Sequence, residues 1–222
     1  MKLIYREVYQ AFYRSSAATR DSRVLEIGSA GLNFAREFWP AVLTTSFDTN
    51  GGIFAEDLPF EENSFDVIIA KDVLHHIKDV PKAFAEFYRV LDSGGKVVVS
   101  EPSWSLLGRF IFKYLHEEVW QESQNFIIES EDPWASNQAL IYNLTKISRS
   151  EQLSVLNGLE MDIHGCTYSI TYLISGGVHS AFPLSHRLLA FVHSLRISGR
   201  FRNRFVNYFS LNRIVTFTKR VN

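Results

Sequence analysis

Short apolar runs alternate along the chain with stretches in which apolar residues recur every three or four positions, the pattern of an α/β fold. Leu3, Ile4, Val8, Ala11 and Phe12 fall at helical spacing and predict a first helix over residues 3–16. A strand is predicted at Arg23–Ile27, followed by Gly28-Ser29-Ala30-Gly31 and by a helix through Phe34 and Phe38 that stops near Pro40. Further strands are predicted at Leu43–Phe47, around Ile53–Ala55, at Phe65–Ala70 and at Lys96–Ser100, with apolar runs that suit strands buried on both faces. Between the last two, Val80–Leu91 has a proline in its first turn and an apolar stripe, with Gly94-Gly95 ending it, and reads as a crossover helix. A polar, irregular stretch covers about Glu117–Asn137. The C-terminal part predicts a helix at Ser150–Asn157, a strand at Met161–Tyr168, a helix at Leu184–Leu195 and a last strand at Leu211–Thr218. The expectation is a three-layer, doubly wound α/β fold: a seven-stranded, mostly parallel sheet with helices on both faces.

Composition narrows the class. A chain of 222 residues, 46% hydrophobic and 21% charged, suits one domain with a large core, and its longest apolar runs are strand-sized. No transmembrane segment or signal peptide is expected, and the lone Cys166 agrees with a reducing cytoplasm. The net charge of −1 conceals a separation: beyond Asp162 there are eight basic residues and no acidic one. A basic C-terminal third is either a solvated face or a surface for phosphate, an acidic substrate or anionic headgroups, including peripheral contact with the inner membrane face.

In an open parallel sheet the ligand crevice lies beyond the carboxyl ends of the strands, so the residues after each strand are the candidates for chemistry. The turn from Glu26 through Gly28, Ser29, Ala30 and Gly31 lets a ligand approach the backbone, although such turns also serve packing alone. Asp48 stands 22 residues after Glu26, where nucleotide-binding sheets place a carboxylate for ribose hydroxyls, and Thr49 follows it. At this point a dehydrogenase and a turn carboxylate both remain open.

Four further segments complete the pattern. Asp57-Leu58-Pro59-Phe60, Asn63-Ser64-Phe65-Asp66-Val67-Ile68, Val73-Leu74-His75-His76-Ile77 and Arg89-Val90-Leu91-Asp92-Ser93-Gly94-Gly95 resemble, in order and spacing, the class I S-adenosylmethionine-dependent methyltransferase family. With the Gly28 turn they cover residues 23–101. The chain looks most like the small-molecule, ubiquinone/menaquinone-biosynthesis-like methyltransferases, including a bacterial polysaccharide-associated branch with Glu-x-Gly-Ser in its first motif and Glu-Pro after its fifth strand, here Glu101-Pro102. The resemblance implies a Rossmann-like fold with its last strand antiparallel, over a single domain 1–222. Residues 1–20 would form the N-terminal helix, 21–101 the cofactor-binding half, and 102–222 the substrate-side insertion and C-terminal strands.

The same resemblance implies that Glu26, Gly28 and the Ser29–Gly31 turn hold the methionine part of S-adenosylmethionine, with Asp48 on the ribose and Lys71 beside the cofactor. Where the family usually has an adenine-binding Asp, this chain has Phe54, which can stack on a purine but not accept its hydrogen bond, so recognition falls to Ala55 and Asp57. Ala30 and Leu32 also replace usual glycines. His75 and His76, after the fourth predicted strand, are candidate proton acceptors, and Asp72 reads as a helix cap. Glu101, Trp104 and His116 are candidate substrate residues. The cofactor is an activated methyl donor, so the expected reaction is in-line transfer to a small molecule or to a glycan or lipid-linked intermediate. A non-catalytic cofactor-binding protein and an NAD-dependent oxidoreductase are the alternatives. No metal-ligand spacing, serine-hydrolase elbow or nucleic-acid-binding pattern is found in the sequence.

Overall fold

The computed structural model describes residues 2–28, 34–45, 53–114, 119–122, 126–128, 136–167, 208 and 210–221. Its main sheet is assembled from β1 (Val24–Ile27), β2 (Leu43–Thr44), β3 (Phe65–Lys71), β4 (Leu91–Pro102), β7 (Glu160–Thr167) and β8 (Asn212–Thr218) in the order β2-β1-β3-β4-β8-β7. β2, β1, β3 and β4 pair in parallel, and β8 runs antiparallel to both β4 and β7. Two short strands, β5 (Val119–Gln121) and β6 (Ser136–Gln138), form a separate parallel pair inside the stretch expected to be irregular.

The strand period of two divides the core into two layers. Leu25 and Ile27, Ile68 and Ala70, Val97 and Val99, and Val215 and Phe217 pack with Val80, Phe84 and Phe87 of α3 (Val80–Val90) and with Leu140 and Leu144 of α5 (Leu140–Leu144). Val24, Val67, Ile69, Val98 and Ile214 point the other way, onto Val8, Tyr9 and Phe12 of α1 (Lys2–Ser16) and onto Ala35 of α2 (Ala35–Phe38) and Trp39. Burial on both faces is why these strands read as unbroken apolar runs.

Local chemistry sets the helix ends. Ala17, at φ +58°, breaks α1 in the left-handed region, and Ser16 Oγ takes the Ala18 amide at 3.2 Å. Asp79 Oδ1 accepts from Lys82 N at 3.0 Å to start α3, with Pro81 in the first turn, and Ser148 and Glu151 form a capping box on α6 (Arg149–Val155).

The structure corrects the strand count and the end of the crossover helix. Ile53–Ala55 is not a strand, so six strands rather than seven are found in the main sheet among the described residues. Phe54 is exposed there and its carbonyl accepts the Asp57 amide at 3.1 Å in a turn, which leaves no ladder for a strand to join. The crossover helix ends at Val90, and Gly94 and Gly95 lie inside β4 rather than closing the helix. The second strand is described only at Leu43–Thr44, and α4 (Leu106–Tyr114) and α5 were not anticipated. The helix expected at Leu184–Leu195 lies outside the described residues.

Gly108 locks α4 against the end of β4. A Cβ there would lie 2.9 Å from the Ser210 carbonyl oxygen and 3.0 Å from Ser105 Oγ, and closer still to the Ser103 carbonyl. Backbone carbonyls cannot yield as a flexible side chain would, so the clash outweighs the roughly 1 kcal/mol of helix propensity that alanine brings. Gly108→Ala is expected to lose about 1–3 kcal/mol in urea unfolding.

Candidate active site

The carboxyl ends of β1, β3 and β4 lie at one end of the sheet, and the first residues of β8 stand beside the end of β4 because β8 runs the opposite way. Glu26 is the inward residue next to Val24 on the α1 side of β1 and is 3% exposed. Its Oε1 accepts a hydrogen bond from the Tyr9 hydroxyl, while its Oε2 is buried with no hydrogen-bond partner among the described residues. Burial pushes the Glu26 carboxyl above its ordinary range, against the opposing pull of the Tyr9 hydrogen bond. Just beyond, Gly28 takes φ +70°, open to glycine at no steric cost, and its amide donates to Thr45 Oγ1 at 3.3 Å. The Thr45 amide in turn donates to the Glu26 carbonyl at 2.8 Å, fixing the end of β1 against the residue after β2. Ser29, Ala30, Gly31, Asp48, Thr49 and His116 lie outside the described residues.

At the end of β3, Lys71 pairs with Asp72 and its ammonium stands 4.5 Å from the Tyr5 ring centre. Asp72 adopts φ +53°, uncommon outside glycine, and its carboxylate accepts from Lys71 and from Asn212 at the start of β8. It does not cap the short 3-10 turn that follows at Leu74–His76, contrary to the sequence reading. Glu101 does that work from the next strand: its Oε1 accepts from the Val73 and Leu74 amides at 3.1 and 2.9 Å. Its Oε2 lies 2.6 Å from His75 Nδ1. The carboxylate is only 1% exposed, so this charge is turned into the protein and onto His75. The His76 ring lies 4.1 Å from that of His75, and both are buried.

A carboxylate that already accepts from two backbone amides favours a proton on the Nδ1 of the histidine beside it. Trp104, two residues after β4, is half-buried, with the Arg213 guanidinium 4.8 Å from its ring centre. Phe54 exposes 58% of its surface, Ala55 is buried and Asp57 is exposed.

Several of the motif residues prove to serve the fold. Arg23 binds Asp66 and Asp92 at the amino end of the sheet. Arg89 of α3 donates to the Phe60 and Leu58 carbonyls at 2.6 and 2.9 Å and pairs with Glu86, whose Oε2 accepts the Leu58 amide. The Leu-Pro-Phe and Arg-Val-Leu segments thus recur together because one clamps the other. Tyr5, Tyr9, Asn212 and Arg213 were not singled out for the site from the sequence; the position of Tyr5 and Tyr9 one helical turn apart was the available signal for two of them.

Among the described residues no cluster of three or more His, Cys, Asp or Glu has the geometry to hold a metal, and no helix is long and apolar enough to cross a membrane. Residues 52–99 match a family model described as a methyltransferase domain. The ubiquinone/menaquinone biosynthesis C-methyltransferase UbiE of Psychromonas ingrahamii is 31% identical over 127 residues, 56% of this chain and 47% of that protein. The solved structure of YcgJ from Bacillus subtilis, 16% identical, superposes with a TM-score of 0.52 over 97% of this chain and 99% of that one. Phosphoethanolamine N-methyltransferase 2 of Haemonchus contortus, solved with phosphomonomethylethanolamine and S-adenosylhomocysteine, is also 16% identical, with a TM-score of 0.54 over 97% of this chain and 53% of that one. The chain spans less than half the length of the curated relatives it matches. In sequence the similarity to a methyltransferase domain runs from residue 52 to residue 99, through β3 and α3 into β4, and the two superposed structures share the fold of this chain.

Proposed function

We propose that residues 1–222 act as one domain that methylates a small molecule, with S-adenosylmethionine bound across the carboxyl ends of β1 and β3. The observation that carries this reading is Glu26 Oε2, a buried carboxylate oxygen without a hydrogen-bond partner among the described residues, at the end of the strand that leads into the glycine turn. Burying a charged oxygen unpaired is costly, and the ammonium of the cofactor's methionine part is a fitting group to offset that cost. Ser29, Ala30 and Gly31 would complete the cradle, with Asp48 and Thr49 at the ribose. The exposed Phe54 ring suits stacking on adenine beside Ala55 and Asp57. Lys71, held by Asp72 and Tyr5, bounds the same crevice.

The bound sulfonium supplies an activated methyl group, so the protein need only position the acceptor and manage its proton. Glu101 orients His75, whose Nε2 takes that proton as the acceptor attacks, and His76 packs beside it. The stacked Trp104 and Arg213 offer a flat wall and a positive charge to an anionic acceptor. That pair, with the basic C-terminal third, supports a phosphate-bearing glycan or lipid-linked intermediate, met by a chain working in the cytoplasm or at the inner membrane face.

Calorimetric titration with S-adenosylhomocysteine, followed by a methyl-release assay on candidate acceptors, tests the reading. Micromolar binding and turnover are expected; His75→Ala should keep the binding and lose about 10²–10⁴ in kcat. Absence of any binding by the folded chain overturns the proposal. Binding without turnover on any acceptor would instead favour a non-catalytic cofactor-binding protein, the reading that Phe54 and the altered glycine turn favour.

A further inference from the structure

The first helix contributes to this crevice as well as to the core. Tyr9 is 4% exposed and packs among Phe12, at 5.5 Å between ring centres, and Phe34, at 6.1 Å. A phenylalanine would fill that space equally well. The hydroxyl adds one thing, a hydrogen bond to the oxygen of Glu26 opposite the unpartnered one.

We infer that Tyr9 is a positioning residue for the cofactor: its phenol anchors Oε1 of Glu26 so that Oε2 stays ionised and aimed at a cationic ammonium. The inference rests on the cofactor assignment above. Burial and the nearby carboxylate push the Tyr9 phenol well above its ordinary range, so it remains a donor at any working pH. The other titratable groups around the pair are Tyr5, from the same helix, and Asp72, which is paired with Lys71 at the end of β3. No hydroxyl other than that of Tyr9 acts on the Glu26 carboxyl among the described residues. Because α1 also covers the sheet through Val8 and Phe12, cofactor binding should tighten α1 onto the sheet.

Removing the phenol leaves burial unopposed, so the Glu26 carboxyl should take up its proton at a higher pH and release the ammonium sooner as the solution is acidified. The test is titration of the wild-type chain, Tyr9→Phe and Tyr13→Phe with S-adenosylhomocysteine at about pH 8 and about pH 6, with hydrogen exchange of α1 read alongside. Tyr9→Phe is expected to weaken binding about ten-fold near pH 8 and by a larger factor near pH 6. Tyr13→Phe, which removes a hydroxyl from the same helix where the ring packs on Phe38 and Trp39, should follow the wild type at both. Protection of α1 amides on ligand addition should fall in Tyr9→Phe alone. Equal affinity and equal pH dependence of Tyr9→Phe and wild type would overturn the inference while leaving the cofactor assignment standing. So would a loss that is the same at both pH values, which marks a packing role. A wild-type chain that binds no S-adenosylhomocysteine removes the assignment itself.

Discussion

Glu101→Gln is expected to leave the fold near wild-type stability while lowering kcat by about 10²–10⁴, and Glu101→Ala to cost on the order of 3 kcal/mol in unfolding free energy. The two outcomes differ because the carboxylate has two separate duties. Its Oε1 satisfies the Val73 and Leu74 amides at the start of the 3-10 turn, and a glutamine oxygen can do the same. Its Oε2 meets His75 Nδ1 at 2.6 Å, where a glutamine places an N–H donor instead. A donor there selects the other tautomer, with the proton on Nε2, and a ring in that form cannot accept a proton from the acceptor. Alanine removes both functions and strands three buried donors, each costing about 1–3 kcal/mol before water relaxes the loss. Urea unfolding separates the stability effects, nitrogen NMR of His75 reports the tautomer, and steady-state kinetics reports the rate. Full activity in Glu101→Gln would show that His75 does not act as the base.

The strands and the crossover helix could be read from the sequence because burial on both faces and a proline-started amphipathic stripe are local signals. Which face each strand residue takes was not legible: Val24, Leu25, Glu26 and Ile27 are all buried, and only the placement of α1 shows that Glu26 shares its layer with Tyr9. The carboxyl-end rule singled out Glu26, His75 and Glu101 separately. Their couplings are tertiary, spanning 17 residues from Tyr9 to Glu26 and 26 from His75 to Glu101, and no local propensity encodes them. Asp72 failed as a cap for the same reason. Its type favours capping, but Glu101 on the neighbouring strand reached the amides first, and Asp72 went to Lys71 and Asn212. The run at Ile53–Ala55 was too short for its apolar character to distinguish a strand from an exposed turn bearing Phe54. The family resemblance implied where a crevice would lie, while only the folded structure sorted the motif residues Asp66 and Arg89 into the scaffold.

The stability and binding effects of Glu26→Gln should have opposite signs. Because burial raises the folded-state pKa of Glu26 above the ordinary carboxylate range, the native chain binds the proton more tightly than the unfolded chain does. Its favourable contribution is therefore complete below the ordinary carboxylate range and lost as pH rises through the raised folded value, leaving an unpaired buried charge near neutrality. Glutamine carries no such charge and can still accept the Tyr9 hydrogen bond, so the ligand-free variant should gain about 1 kcal/mol at neutral pH, roughly 2–4 °C in Tm for a chain of this size. Its melting temperature should also stay flatter between pH 4.5 and neutrality than that of the wild type. Affinity for S-adenosylhomocysteine should fall about a hundred-fold, since the ammonium then loses its ionic partner in a buried site. At saturating ligand the ranking inverts: the wild type gains stability from binding by mass action, and the variant gains little. Melting curves for both proteins across this pH range, with and without ligand, read all of these effects together. A variant that melts like the wild type at every pH and binds the ligand equally well would show that Glu26 carries neither a buried charge nor the cofactor's ammonium.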